Sequence, residues 1–273
     1  MIRAAVFLFL AVLALPAAAG GPKAELWDRW QAHDPASTAR VDHGVWGRFL
    51  AHYLRIEPQE ANRVDYARVT AADHADLAAY VTKLEAVAVS GLNRREQMAF
   101  WINLYNALTV KVVLDHWPVS SIRDIDISPG LFSDGPWGKK LAAVEGEKLA
   151  LDDIEHRILR PIWRDPRIHY AVNCASIGCP DLAPRPYTGD TVDRMLTAAA
   201  ETYVNSPRGA RIDADGQLVV SKIYDWFIDD FGGAEAGVLA HLTRYAGPDL
   251  KARLAGRTEV DAHAYDWRVN AVR

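Results

Sequence analysis

Cysteine is nearly absent from this chain. Two occur in 273 residues, Cys174 and Cys179, both within the stretch His169–Pro180, HYAVNCASIGCP. The usual zinc patterns are missing with them: there is no C-x2-C and no H-E-x-x-H, and H-x4-C-x4-C matches no common zinc spacing. No metal and no cofactor is therefore expected. Long apolar runs are scarce too. Beyond the N-terminal leader, no segment has the ~20 consecutive apolar residues that a membrane-spanning helix needs, so no anchor is expected in the mature chain. A basic stripe with interleaved aromatics is lacking, and the formal net charge is −4, which argues against a nucleic-acid partner. No internal repeat and no low-complexity linker interrupts the chain.

What is present starts with a leader. Met1-Ile2-Arg3 is a short positive start, Ala4 to Leu15 is apolar, and Pro16 precedes Ala17-Ala18-Ala19-Gly20. Charged, apolar and small residues in that order form a signal peptide over residues 1–19, with cleavage near Ala19 and a secreted or periplasmic destination. Such a compartment permits disulfides. The rest is long enough for a large core.

Helical spacing is seen at 24–32, 43–54 and 71–89. The strongest helix is NRREQMAFWINLYNALTVKVVLDHWP, capped by Asn93 and ended by Pro118. At ~100° per residue its polar side holds Gln97, Lys111 and Asp115. Asn106 falls in the middle of the opposite, buried side and Asn103 on its flank. A buried amide without partners costs roughly 1–3 kcal/mol, so these two either tie down a neighbouring backbone or position a substrate. Residues 119–150 are irregular. LALDDIEHRILRP forms a helix ended by Pro161, with Glu155 inside its apolar stripe and His156 at the margin; a carboxylate there must be paired, for instance with Arg160, or take up a proton. RIHYAV is predicted as a strand and 190–205 as a helix. ARIDADGQLVVS is a hairpin, and KIYDWFIDDFGG a short helix ending at Gly232-Gly233. Helices at 234–246 and 248–255 precede an extended end. This order predicts an α+β fold: a helix-rich single domain packed on a small, mainly antiparallel sheet.

Two readings of the cysteine loop stay open. Cys174 and Cys179 could form a small structural disulfide. Alternatively, Cys174 is a nucleophile, with His156 or His169 as base, Glu155 as the orienting group, and Asn103, Asn106 or the N–H groups of the 175–178 loop serving an oxyanion. Strand parity turns His169 away from Cys174.

The blocks AFWINLYNALTVKVV, LALDDIEHRILRP, HYAVNCASIGCPDL and SKIYDWFIDDF, in this order, resemble the family catalogued as domain of unknown function 547. The resemblance spans about residues 64–232, leaving 20–63 as an N-terminal helical segment and 233–273 as a C-terminal one. It implies that Asn103, Asn106, Glu155, His156, His169, Cys174, Cys179 and Pro180 occupy family motif positions. It also implies that paired cysteines occur in members that look intracellular, which weighs against a purely structural bridge. A looser, fold-level likeness is to transglutaminase-like and papain-like proteins. The expected function is thiol-dependent hydrolysis or acyl transfer by Cys174 on a small-molecule or peptide substrate, with Asn103, Asn106 and Cys179 lining the substrate cleft. The competing expectation is a non-enzymatic binding or scaffold protein with a Cys174–Cys179 bridge, its nine tryptophans suited to holding a ligand.

Overall fold

The computed structural model describes residues 21–57, 60–130 and 134–272. The leader over 1–19 lies outside them. The elements run α1 (Gly44–Tyr53), β1 (Leu54–Arg55), β2 (Arg63–Val64), α2 (Ala71–Glu85), α3 (Arg94–Asp115), β3 (Ala142–Val144) and β4 (Glu147–Leu149). A π-helical stretch, Asp153–Leu159, then leads directly into α4 (Arg160–Trp163). The chain continues through α5 (Val192–Val204), β5 (Ala210–Ile212), β6 (Leu218–Ser221), α6 (Ile223–Trp226), α7 (Glu235–Tyr245), α8 (Pro248–Leu254) and β7 (Ala262–Ala264). Helices dominate, and the strands are short. The three-stranded sheet has the order β5-β6-β7, with β5 antiparallel and β7 parallel to β6. β1–β2 and β3–β4 are separate antiparallel pairs. This is an α+β fold. Among the described residues, no helix is long and apolar enough to cross a membrane.

α3 is the axle. The Asn93 side chain accepts hydrogen bonds from the N–H groups of Arg95 and Glu96, satisfying donors that a helix start leaves open. Every residue from Glu96 to Val110 is buried, so the helix is enclosed on all sides at that level. Gln97, expected on a polar face, is buried because its amide donates to the Ala32 and Val89 carbonyls and accepts from Arg94. Only the ends are wet: Arg95 is exposed in the first turn, and Lys111 pairs with Asp115 at 2.7 Å in the last.

Three local expectations are overturned. Within 119–150, β3 and β4 form a hairpin on Glu145-Gly146, whose φ values of 46° and 84° fit a two-residue turn that needs both positive. The predicted strand RIHYAV is instead a 3-10 helix, Pro166–Tyr170, started by Pro166 and by the Asp165 side chain accepting from the Arg167 N–H. The helix expected to stop at Pro161 runs to Trp163. Proline has no N–H, so it removes one helical bond from the preceding turn. The carbonyls of that turn, His156 and Arg157, accept from the N–H groups of Glu25 (2.9 Å) and Trp27 (3.0 Å). The N-terminal segment thus makes up for the bond the proline cannot supply.

The extended C-terminal segment ties distant parts together. Its Asn270 carbonyl accepts from Val64, its Val269 N–H donates to Ser120, and its Asp266 and Arg268 carbonyls accept from Gly178 and Ile177 in the cysteine loop.

Candidate active site

The cysteine loop is held from every side. The Asn173 amide spans it, donating to the Pro180 carbonyl at 2.6 Å and accepting from the Ala175 N–H at 2.8 Å. Tyr203 donates to the Gly178 carbonyl at 2.7 Å, and Arg208 donates to the Cys179 carbonyl. Gly178 has no room for a side chain: a Cβ there would lie 2.6 Å from the Asp266 nitrogen. Ala175, directly after Cys174, is fully buried at φ 58°. That left-handed conformation is uncommon for alanine and persists only where the surroundings impose it.

Cys174 and Cys179 are free thiols with their Sγ atoms 3.0 Å apart, well beyond the ~2.05 Å of a disulfide. The expected bridge is not formed in this structure. The sulfur of half-buried Cys174 also meets the Ser176 hydroxyl at 3.2 Å and the Tyr265 hydroxyl at 3.1 Å, and those hydroxyls meet each other at 2.9 Å. The Cys179 thiol is the largest influence lowering the Cys174 pKa. Burial opposes it; Ser176, Tyr265 and the Ser176 backbone N–H add to it, and the result is about 7. Burial, then the neighbouring Cys174, drives the Cys179 thiol well above its ordinary value. Of the two sulfurs, Cys174 is therefore the one whose surroundings favour the thiolate, and Cys179 the one whose surroundings favour the thiol.

Facing the sulfurs is a charged wall. The π turns carry Asp152, Glu155 and His156 to one side, the kind of departure from an α-helix that recurs at functional sites. His169 Nε2 lies 2.6 Å from an Asp230 carboxylate oxygen, and its Nδ1 3.6 Å from Glu155. Burial disfavours the imidazolium, but the two carboxylates outweigh burial and raise the His169 pKa. Arg160 donates from Nε to the same Asp230 oxygen at 2.6 Å and from Nη1 to His156 Nδ1 at 2.9 Å. Burial would raise Asp230 and Glu155, yet the surrounding cations bring each down to about 2.

His156 differs from His169. Burial, reinforced by Arg160 against the pull of Glu155, lowers its pKa to about 4, so it is neutral at pH 7. A guanidinium only donates. Nδ1 of His156 must therefore accept, which leaves the hydrogen on Nε2. That N–H lies on the side of Asp152, whose oxygen is 3.7 Å away. Asp152 is pushed up to about 6 by burial and then by its acidic neighbours Glu155 and Asp153.

The two walls flank an open cavity of ≈ 620 Å³ whose lining includes Asp152, Glu155, His156, His169, Cys174 and Cys179. Aromatic rings line it: Tyr265 packs 4.9 Å from Trp226 and 4.7 Å from Trp267, and Phe227 stacks on His169 at 4.5 Å.

Of the residues singled out in the sequence, these five besides Asp152 share the cavity. Asn103 and Asn106 do not line it. Asn103 exchanges hydrogen bonds with both backbone groups of Tyr187, while Asn106 donates to the Ala171 carbonyl and accepts from the Asn173 N–H. Both amides are spent on fixing backbone, Asn106 at the root of the cysteine loop. The strand-parity objection to His169 disappears, because a 3-10 turn does not alternate faces. The loop N–H groups offer no oxyanion site either. Ala175 donates to Asn173, Ser176 to the Cys174 sulfur, Ile177 to Arg268 and Gly178 to Asp266. Among the described residues, neither imidazole hydrogen-bonds Cys174. Sequence reasoning missed Ser176, Tyr265, Asp230 and Asp152 as parts of the site. For Tyr265 the available signal was an aromatic in the extended segment AHAYDWRVN; for Asp230 it was an acidic pair in a block already counted as motif.

No curated protein matches the chain, and no solved structure does. The looser likeness to transglutaminase-like and papain-like proteins is accordingly not borne out. Residues 89–204 match the model of the family described as "Protein of unknown function, DUF547", a shorter span than 64–232 but one that contains α3, both cysteines and the charged wall except Asp230. Over that region the chain is similar to this family.

Proposed function

We propose that this protein is a thiol-dependent hydrolase or acyl transferase with Cys174 as nucleophile, acting on a small-molecule or peptide carbonyl substrate. One observation carries the reading: the Cys174 sulfur lines a cavity open to solvent while hydroxyls and a thiol stabilise its thiolate. A base is then not needed to make the nucleophile, and neither histidine takes that part. His169 has its ring nitrogens directed at two carboxylates that favour its cation, and His156 has its accepting nitrogen filled by Arg160.

The thiolate attacks the substrate carbonyl carbon, and the oxygen takes up the negative charge. A neutral imidazole with its N–H fixed on Nε2 supports His156 as a donor to that oxygen. Asp152, near 6, suits the group that gives a proton to the leaving atom and takes one from the attacking water or acceptor. The aromatic rings favour an acyl group that is flat or apolar.

Incubation of the reduced full chain with activated aryl esters and thioesters, read by intact mass and peptide mapping, should reveal an acyl adduct on Cys174. Cys174→Ser should abolish turnover at unchanged Tm. Equal turnover by that variant, with no adduct on the native chain, overturns the reading.

The absence of a hydrogen bond between Cys174 and either imidazole favours the alternative, a binding protein using the same cavity. It predicts saturable ligand binding that Cys174→Ser retains, without turnover. Export is supported by the order of charged, apolar and small residues over 1–19; the mass of the mature chain tests cleavage near Ala19.

A further inference from the structure

Acyl transfer gives Cys179 no task, yet this thiol is built into the site. Its sulfur is 3.0 Å from that of Cys174 and accepts the Cys174 backbone N–H at 3.0 Å. Both sulfurs border the same cavity, but their access differs: Cys174 is half-buried and Cys179 is only 5% exposed. A thiol this close to a nucleophile is a liability for acyl chemistry alone, because mild oxidation joins the two.

We propose that Cys174 and Cys179 are a redox-active dithiol that exchanges with low-molecular-weight disulfides carrying flat or apolar groups, Cys174 attacking and Cys179 resolving. This rests on the reading of Cys174 as the site's nucleophile. Cys174 is the sulfur a substrate reaches first, and the hydroxyls of Ser176 and Tyr265 solvate its charge. Cys179 sits behind it, kept protonated by burial, with the Cys174 N–H aimed at its sulfur to receive charge when it acts. The sulfurs need approach by only about 1 Å to bond. A cavity of ≈ 620 Å³ walled by Trp226, Trp267, Phe227 and Tyr265 admits a small aromatic disulfide and excludes one buried in a folded protein.

The chemistry balances. The Cys174 thiolate attacks one sulfur of R–S–S–R; that S–S bond breaks, and the first thiolate leaves and takes a proton from solvent. The Cys179 sulfur then attacks Cys174 Sγ, the mixed disulfide breaks, and the second RSH leaves with the Cys179 proton. The substrate disulfide gains two electrons, and the two cysteines lose two in forming their bond. Excess small-molecule thiol reverses both steps.

The test uses the reduced full chain with 5,5′-dithiobis(2-nitrobenzoate), read by released aromatic thiol and by intact mass. Wild type should release two equivalents per chain, lose two hydrogens and carry no adduct. Cys179→Ser, or Cys179→Ala should the serine variant not fold, should release one equivalent and keep a stable mixed disulfide on Cys174. Cys174→Ser should react at least about tenfold more slowly, because the remaining thiol is buried and protonated. If wild type retains a stable mixed disulfide on Cys174, or ends with two adducts, the dithiol inference falls and the nucleophile reading survives. If Cys174 in wild type is inert toward the reagent, both fall.

Discussion

On one wall of the cavity, Glu155, His169, Asp230 and Arg160 pair with one another through contacts of 2.6 to 3.6 Å. On the other, a single ionisable sulfur is surrounded by hydroxyls, an N–H and a second thiol. The first wall cancels its charge internally and offers the cavity only the neutral His156 and the half-exposed Asp152. The second stabilises a charge with dipoles and leaves it chemically usable. The difference separates charges that hold a site together from charges that react, although both are buried titratable groups with shifted pKa values.

The comparison breaks most visibly at Asp230. Asp230→Ala strands Arg160 and His169, and we expect a loss of about 3 kcal/mol, since removing one partner of a buried pair leaves an uncompensated charge. Chemical denaturation measures it, and a change under about 1 kcal/mol would refute internal cancellation. The same wall sets a pH dependence. Glu155 and Asp230 are depressed to about 2 from 4.5 and 3.8, so their contribution is present above those ordinary values and is lost as pH falls toward 2. His169 is raised above 6.5, so its contribution is present below 6.5 and is lost as pH rises through the higher folded value. Tm against pH should fall on both sides, and Asp230→Asn should flatten both limbs.

A smaller effect sharpens the role of His156. His156→Ala should lower kcat about 100-fold with little change in KM, the cost of one oxyanion donor. His156→Gln, which keeps an N–H, should recover part of the loss; a base would not be rescued in this way. Smallest is the effect of single hydroxyls on the sulfur wall. Tyr265→Phe should move the midpoint of Cys174 alkylation up from about 7 by about one pH unit, the equivalent of one hydrogen bond to a charged group. An unmoved midpoint would remove Tyr265 from the thiolate's support.

Much of the frame was legible because it depends on neighbours in sequence. The Asn93 cap, the Asp-Gly hairpin and the helix end at Gly232 are local signals, and each is found. The buried position of Glu155 followed from a helical stripe. The π turns did not, because the widening depends on Pro161 together with backbone donors from Glu25 and Trp27, more than a hundred residues upstream. His169 was misplaced because β-like residue types gave way to a proline-started 3-10 turn. The amides of Asn103 and Asn106 were correctly marked as needing partners, but only the fold shows that the partners are backbone. Tyr265 is 91 positions from Cys174, and no spacing rule reaches so far.

The extended C-terminal segment gives the site an unexpected boundary. The family-matched region ends at residue 204, but the hydroxyl on the Cys174 sulfur comes from Tyr265, the carboxylate under His169 from Asp230, and the carbonyls that latch the cysteine loop from Asp266 and Arg268. A fragment cut to the matched region would keep both thiols and lose what tunes and holds them. The smallest piece able to show the chemistry of this chain is therefore larger than the piece that the family model matches.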